Sequence, residues 1–414
     1  MLDAIRDSFE LHGFLPIETP AVERMPVLAA KGGMQRQIYS LRKPSDDRQD
    51  SAELGLHFDL TVPLARYVAQ RAHELTFPFR RFQMQKVWRG ERAQRGRFRE
   101  FYQCDIDIIG SGSLDLLHDA EVVSVIASVF RGLGLPGFEI RLSNRMVLSS
   151  VLSRWGIDGA DSDRFLRIID KHGPKGADAV GEALAEEKAP GELVVLLREL
   201  LKLEDLDSAE GLLTDAGVDP GGVRALRDVA EAAARLGVGP DEFRVDFSIA
   251  RGLDYYTGTV YETFLSGREE WGSVCSGGRF DDLAGYFTDR SLPGVGVSIG
   301  LTRLLDLLVQ NEQVELESSS PTKVLVAVQD RDFLDSCLRV ATLLREGQVP
   351  TEVYMQARRL GDQLSYASDL GIPFAAIVGA SEASGDFVTL RDLRTGTQEA
   401  VALSDLLERV TGIA

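Results

Sequence analysis

The stretch Arg97-Phe98-Arg99-Glu100-Phe101-Tyr102-Gln103-Cys104-Asp105-Ile106-Asp107 decides how the chain is read. Strand side chains alternate faces with a period of two, so Arg97, Arg99, Phe101, Gln103, Asp105 and Asp107 are expected on one face. That face grades from arginines, which suit phosphate, through a ring able to stack on a base, to an amide and carboxylates, which suit an amine or an imidazole. A solvated sheet face laced by cross-strand ion pairs is the competing reading of the same pattern. The stretch is the return strand of a long antiparallel hairpin expected over Phe79 to Ile109, with its loop near Ala93 to Gly96. From Arg80 to Arg99 eight basic side chains stand against one acid, Glu91, a local charge of +7, so an anionic partner is expected at the hairpin.

Outward from the hairpin, Leu2, Ile5 and Phe9 followed by Gly13 predict an amphipathic helix and its stop, and Phe14 to Ile17 a short strand. Leu117, Ala120, Val123, Ile126 and Phe130 recur at helical spacing, which predicts a helix within Asp115 to Leu133. Residues 156–240 hold one aromatic, Phe165, and are dominated by Ala, Leu, Glu and Gly, the composition of a helical insertion. Aromatics return at Phe243, Phe247, Tyr255, Tyr256, Tyr261 and Phe264 in β-favouring sequence. The expected organisation is a catalytic domain in two parts, 1–155 and 241–313, interrupted by a helical insertion, 156–240. A polar linker, 314–322, leads to a C-terminal domain, 323–414. There, strands at Val324 to Val328, Glu352 to Met355 and Phe374 to Val378 alternate with helices, which predicts a small α/β domain with a mostly parallel sheet.

Two glycine-bearing stretches complete the pattern. Arg251-Gly252-Leu253-Asp254-Tyr255-Tyr256 sets an arginine beside a glycine that permits close approach, then paired phenols; its bland reading is a turn into a strand with core aromatics. In Gly294-Val295-Gly296-Val297-Ser298-Ile299-Gly300-Leu301-Thr302-Arg303 the glycine spacing is not that of a dinucleotide-binding unit, and no βαβ unit follows. These glycines are expected to flatten a strand against a planar ligand, with Arg303 leading a helix.

Composition excludes much. The 414 residues are 44% hydrophobic and 27% charged, ordinary for a globular chain, and exceed one domain. A net charge of -18 argues against a surface that coats nucleic acid, leaving local basic patches. Cys104, Cys275 and Cys337 are widely spaced, the five histidines are scattered, and no signal or membrane-spanning stretch is visible, so the cytoplasm is the expected compartment. No Walker A, HExxH or GxSxG signature occurs, which leaves chemistry driven by arginines on phosphate.

Together, Trp88-Arg89-Gly90-Glu91 through Arg99-Glu100-Phe101, the Arg251 to Tyr256 run, Gly277-Gly278-Arg279-Phe280-Asp281 and Gly294 to Arg303 resemble the class II aminoacyl-tRNA synthetases, and within them the histidyl-tRNA synthetase family. The resemblance spans essentially the whole chain. It implies an α+β catalytic domain on an antiparallel sheet and a C-terminal anticodon-binding α/β domain. It implies that Arg89 holds the ATP α-phosphate, Glu91 faces the adenine edge, and Phe101 and Arg303 sandwich the base. It implies Asp59, Thr61 and Gln103 on the α-amino group of L-histidine, Asp107 and Tyr256 on the imidazole with Tyr255 nearby, and Arg251 as the catalytic arginine. Arg92, Gln94, Arg95 and Arg97 would contact tRNA(His), Mg²⁺ would accompany ATP through ligands left open, and Phe14 to Glu23 would build a homodimer. Three departures stand out. The chain begins inside the first helix where the resemblance implies a preceding segment, which suggests a shortened N-terminus. His57 replaces a frequent arginine, and Asp282 a usual glycine. The rival reading is a catalytically silent relative, such as the histidine-sensing regulatory subunit of ATP phosphoribosyltransferase; a class II enzyme for another amino acid comes after it.

Overall fold

The computed structural model describes residues 1–30, 37–42, 53–92, 96–135, 137–250, 255–311, 313–314, 320–356 and 358–412. The chain divides into two compact units, Met1–Asn311 and Glu312–Ala414. Most of the expected linker, residues 315–319, lies outside the described residues.

In the first unit an eight-stranded sheet runs, edge to edge, through Leu15–Pro16, Phe79–Trp88, Glu100–Ile109, Gly294–Gly300, Cys275–Phe280, Thr259–Leu265, Phe138–Asn144 and Phe243–Val245. Every pairing is antiparallel except at the two edges, where Leu15–Pro16 and Phe243–Val245 pair parallel. The hairpin expected over 79–109 is present, with ten-residue strands in register from Phe79 opposite Ile109 to Trp88 opposite Glu100. The return strand starts at Glu100, not at Arg97, so Arg97 and Arg99 leave the strip proposed from alternation and belong to the loop. There Arg99 Nε donates to Glu91 O at 3.2 Å and Arg97 Nη1 stands 3.7 Å from Glu91 Oε2.

Cys104, Ile106 and Ile108 alternate away from Gln103, Asp105 and Asp107, and pack against helix Leu117–Gly132, whose Val122, Val125, Ile126 and Val129 are buried. Each such apolar side chain removed from water stabilises by about 1.5–3 kcal/mol. Helices fill residues 145–235 between Phe138–Asn144 and Phe243–Val245, strands that pair with each other. The helical run begins at Arg145, earlier than composition suggested, because Asn144 Oδ1 caps it by accepting from Met146 N at 3.0 Å.

Three of the hairpin's eight basic side chains are matched by acids, so fewer than expected are left to face an anion. Arg80 pairs with Glu121, Arg81 with Asp107 and Lys86 with Glu100. Arg89, Arg92, Arg97 and Arg99 form no ion pair at 3 Å or less among the described residues.

In the second unit Thr351–Tyr354, Val324–Val328 and Phe374–Val378 form three parallel strands. They are extended by an antiparallel hairpin, Phe387–Asp392 with Gln398–Ala402, that periodicity did not flag. All three cysteines are free and buried. Among the described residues no helix is long and apolar enough to cross a membrane.

One buried ion pair ties the sheet to its covering helix. Arg279 Nη2 meets Asp119 Oδ2 at 2.5 Å and also donates to Asp115 O, Nη1 donates to Leu114 O, and Tyr261 Oη donates to Asp119 O. Removing one partner of such a pair strands the other charge, which costs about 3–5 kcal/mol. Asp119→Ala is therefore expected to lower the melting temperature of the first unit by several degrees in calorimetry; an unchanged transition would refute the clamp.

Candidate active site

One cavity of about 350 Å³ gathers residues from across the first unit, among them Asp59 and Thr61, Arg89, Glu91 and Phe101, Gln103, Asp105 and Asp107, Tyr255 and Tyr256, and Gly296, Gly300 and Arg303. Of the residues singled out from sequence, Asp59, Thr61, Arg89, Glu91, Arg97, Phe101, Gln103, Asp107, Tyr255, Tyr256 and Arg303 all line it. Arg92 is exposed and is not among the lining residues. Gln94, Arg95 and Arg251, with the rest of 251–254, lie outside the described residues.

The hairpin register builds the floor. Period two sends Arg81, Gln83 and Gln85 to the same face as Asp107, Asp105 and Gln103, each directly opposite its partner. Arg81 and Asp107 are buried, and Arg81 Nη2 lies 2.5 Å from Asp107 Oδ2 as an ion contact without hydrogen-bond alignment. Sequence reading missed Arg81 because it was counted with the basic patch. The register, which sets it across from a carboxylate, was the signal that finds it. Asp105 was on the strip but had no role.

Two glycines make this floor possible, and not in the way expected. A Cβ at Gly296 would collide with Asp107 Oδ1 and Ile106 O, and one at Gly294 with the Phe280 ring. At these two positions the strand is stripped for neighbouring protein atoms; a Cβ at Gly300, which lines the cavity, would meet Val274 O and Arg303 Cβ only at 3.7 and 3.8 Å, so that position fits the idea of a face cleared for a ligand. Gly278 likewise admits the Tyr256 ring, whose Cδ1 would lie 2.9 Å from a Cβ there. Tyr255 and Tyr256 meet edge to face with centroids 4.9 Å apart, and Tyr255 meets Phe280 at 6.0 Å.

At the other end Arg89 Nε donates to Phe58 O at 3.0 Å, and its guanidinium lies 5.1 Å from the Phe101 ring centroid. Arg303, in the first turn of helix Leu301–Gln310, donates to Trp271 O. Asp59 Oδ1 accepts from Val62 N at the start of helix Thr61–Arg71, and Oδ2 accepts from Tyr255 Oη at 3.4 Å. His57 is buried with Nε2 2.7 Å from Lys86 O and its ring 5.6 Å from Trp88; burial pushes its pKa down, so the ring is neutral and donates to that carbonyl. Asp282 has φ -114, a backbone that needs no glycine, so this departure is accommodated.

The cavity is thus cationic at Arg89 and acidic at Asp59, Asp105 and Asp107. Burial is the largest influence on all three carboxyls and raises them, Asp59 to about 6, Asp105 to about 7 and Asp107 to about 8, with Arg81 opposing. Burial also raises Tyr255 and Tyr256, which stay protonated as donors, and the Cys275 thiol, which is no nucleophile. The arrangement suits a molecule with an ammonium at one end and an anion at the other.

The chain is similar over nearly its whole length to known proteins. The family model described as histidyl-tRNA synthetase matches residues 1–304, and that of an anticodon binding domain matches 323–413. A histidine–tRNA ligase of Xanthomonas axonopodis pv. citri is 43% identical over 98% of this chain and 90% of that protein. One of Clostridium tetani is 41% identical over 99% and 93%. The crystal structure of histidyl-tRNA synthetase from a Nostoc species superposes with a TM-score of 0.87 at 38% identity, covering 100% of this chain and 94% of that one.

The raised carboxyls have a thermodynamic sign. Unfolded, they titrate near ~4; folded, they hold protons up to the range 6–8. Between those values the native state binds more protons than the unfolded chain, so the stability these groups contribute is lost as pH rises from about 4 up to each folded value. Melting temperatures of the ligand-free protein are therefore expected to lose a contribution from these groups between about pH 5 and pH 7, and that loss is smaller in Asp105→Asn. An equal loss in the variant would show that Asp105 does not hold a proton there.

Proposed function

The chain belongs to the histidyl-tRNA synthetase family, and from that premise we propose how its cavity carries out the family's reaction. Its function is that of a histidine–tRNA ligase of class II, an ATP-dependent enzyme that joins histidine to tRNA. The observation that carries the residue-level reading is the polarity of the cavity, with Arg89 and Phe101 at one end and Asp105, Asp107 and Tyr256 at the other. An amino acid whose ammonium and imidazole lie at the acidic end directs its carboxylate toward the arginine.

In this reading Asp59, Thr61 and Gln103 hold the α-amino group, and Asp107 and Tyr256 meet the imidazole beside Tyr255. A ring nitrogen that donates and one that accepts are matched by a carboxylate and a phenol. Phe101 stacks on adenine, Arg303 covers its other side, Glu91 faces its edge, and Arg89 leaves the Phe101 ring for the α-phosphate. The histidine carboxylate oxygen attacks the α-phosphorus in line as the bond to pyrophosphate breaks. Arg89 and Arg251 stabilise the charge that builds on the phosphoryl oxygens, and tRNA then takes the histidyl group from the adenylate.

In this reading Mg²⁺ would accompany ATP, carried on the nucleotide phosphates, where it would neutralise pyrophosphate charge.

The same reading gives the cytoplasm as compartment and a homodimer formed through Phe14 to Glu23. It sets tRNA(His) on Arg92, Gln94, Arg95 and Arg97 and on the domain at 323–414, with the catalytic domain divided at 156–240. Histidine-dependent exchange of pyrophosphate into ATP tests the core of it, with alanine, proline and threonine as controls. Exchange with histidine alone is expected; histidine binding without exchange would replace this reading with a silent relative. Arg89→Ala and Arg251→Ala should each keep histidine affinity and lose on the order of 10²-fold or more in exchange rate. Near-normal exchange in either variant would remove that arginine from the mechanism.

A further inference from the structure

Residues 57–60 belong to no helix or strand: strand Leu54–Leu56 ends just before them and helix Thr61–Arg71 begins just after. The place of Asp59 relative to the sheet is therefore set by what this short segment is fastened to, as well as by the helix it leads into. Three hydrogen bonds fasten it to the end of strand Phe79–Trp88. Trp88 N donates to His57 O at 3.0 Å, Arg89 Nε donates to Phe58 O at 3.0 Å, and the His57 ring donates from Nε2 to Lys86 O at 2.7 Å. On its other side His57 N donates to Ala21 O at 3.0 Å. Arg89 follows directly on that strand, so the same bonds set it relative to Asp59.

The bond from the ring is unlike the other two, because it comes from a side chain that is fully buried and does not line the cavity. His57 Nδ1 is buried without a hydrogen-bond partner among the described residues, so the ring's bonding goes to Lys86 O alone. A buried polar atom left unmet destabilises, and a phenyl ring would fill the same space, 5.6 Å from the Trp88 ring centroid, without that cost. What the imidazole adds is the one bond to Lys86 O. The Arg89 bond cannot replace it, since that guanidinium turns from Phe101 to the α-phosphate in the reaction proposed above. We propose that His57 is a positioning residue for adenylate formation, whose bond to Lys86 O fixes the Asp59 half of the cavity against the Arg89 half. The proposal rests on the histidine reading, in which Asp59 holds the substrate's ammonium and Arg89 the α-phosphate. His57 joins two half-sites and builds neither, so its loss leaves each substrate its own pocket and spoils their alignment for in-line attack.

The test combines pyrophosphate exchange with calorimetric titration of histidine and of ATP, each alone, on the full chain and on two variants. His57→Phe keeps the ring and loses the donor; His57→Gln loses the ring and keeps a donor where imidazole Nε2 stood. Misplacement by ~1 Å costs up to ~10²-fold in rate, so His57→Phe is expected to lower kcat of exchange by about tenfold or more. Both affinities and both KM values should stay within about threefold of the unaltered protein, and His57→Gln should recover most of kcat. Should His57→Phe not fold, His57→Asn, whose amide falls a bond short of Lys86 O, supplies the same contrast with Gln. Unchanged kcat in the donor-free variant, a loss of either affinity as large as the loss of kcat, or a Gln variant no better than it would overturn the proposal and leave His57 a packing residue. Absence of histidine-dependent exchange in the unaltered protein would overturn the histidine reading and the proposal with it, whereas a failure confined to the variants overturns the proposal alone.

Discussion

The face-to-face pairing of Phe79–Trp88 with Glu100–Ile109 is the constraint on which the site depends. Its register sets Arg81 against Asp107, Gln83 against Asp105 and Gln85 against Gln103, so a row of polar groups is buried where apolar side chains would be cheaper. Three carboxyls against the guanidinia of Arg81 and Arg89 do not balance. An enclosed excess of acid either keeps protons or waits for a cation, and both states follow from burial rather than from any special residue. The floor is thereby primed for an ammonium before any substrate arrives.

Everything around the floor serves to hold it open or closed. Gly296 and Gly278 give up side chains so that Asp107 and Tyr256 can lie over the sheet. Thr257 N donates to Arg279 O at 2.8 Å, and Thr257 Oγ1 lies 2.5 Å from Asp281 Oδ2, which fixes the turn that carries the two tyrosines. Through Arg279 that turn is joined to Asp119 on the covering helix, so the wall of the cavity and the hydrophobic core share one buried ion pair.

How much of this the sequence disclosed depended on whether the deciding relation was local. The hairpin, the helix over 117–132 and the corner at Gly300 to Arg303 are local patterns of period two or 3.6, and all are present. The roles of Arg81, Arg80 and Lys86 are non-local: their charge looks alike in composition, and only the strand register and the neighbouring helix show each one neutralised. The glycines of 294–300 misled for the same reason, since what they make room for stands on strands distant in sequence. The C-terminal hairpin was unread because its inward residues Val388, Leu390 and Val401 are separated by polar residues that outweigh them in a short window. At the site, the motifs pointed to the lining residues, but Arg81 needed the strand register to be seen.

The order of strands carries a further consequence for the nascent chain. Strand Glu100–Ile109 has one neighbour close behind it in sequence and the other, Gly294–Gly300, far ahead, with Cys104 opposite Ile299. During synthesis at roughly 5–20 residues per second, the hairpin therefore waits on the order of 10 s or more with a long, half-apolar edge unpaired. The helices of 145–235, which form from local contacts, emerge in that interval. The site thus closes last, when the strand from the far side of the insertion arrives, and until then the hairpin's open edge is the surface of the emerging polypeptide most exposed to mispairing or to capture by a chaperone.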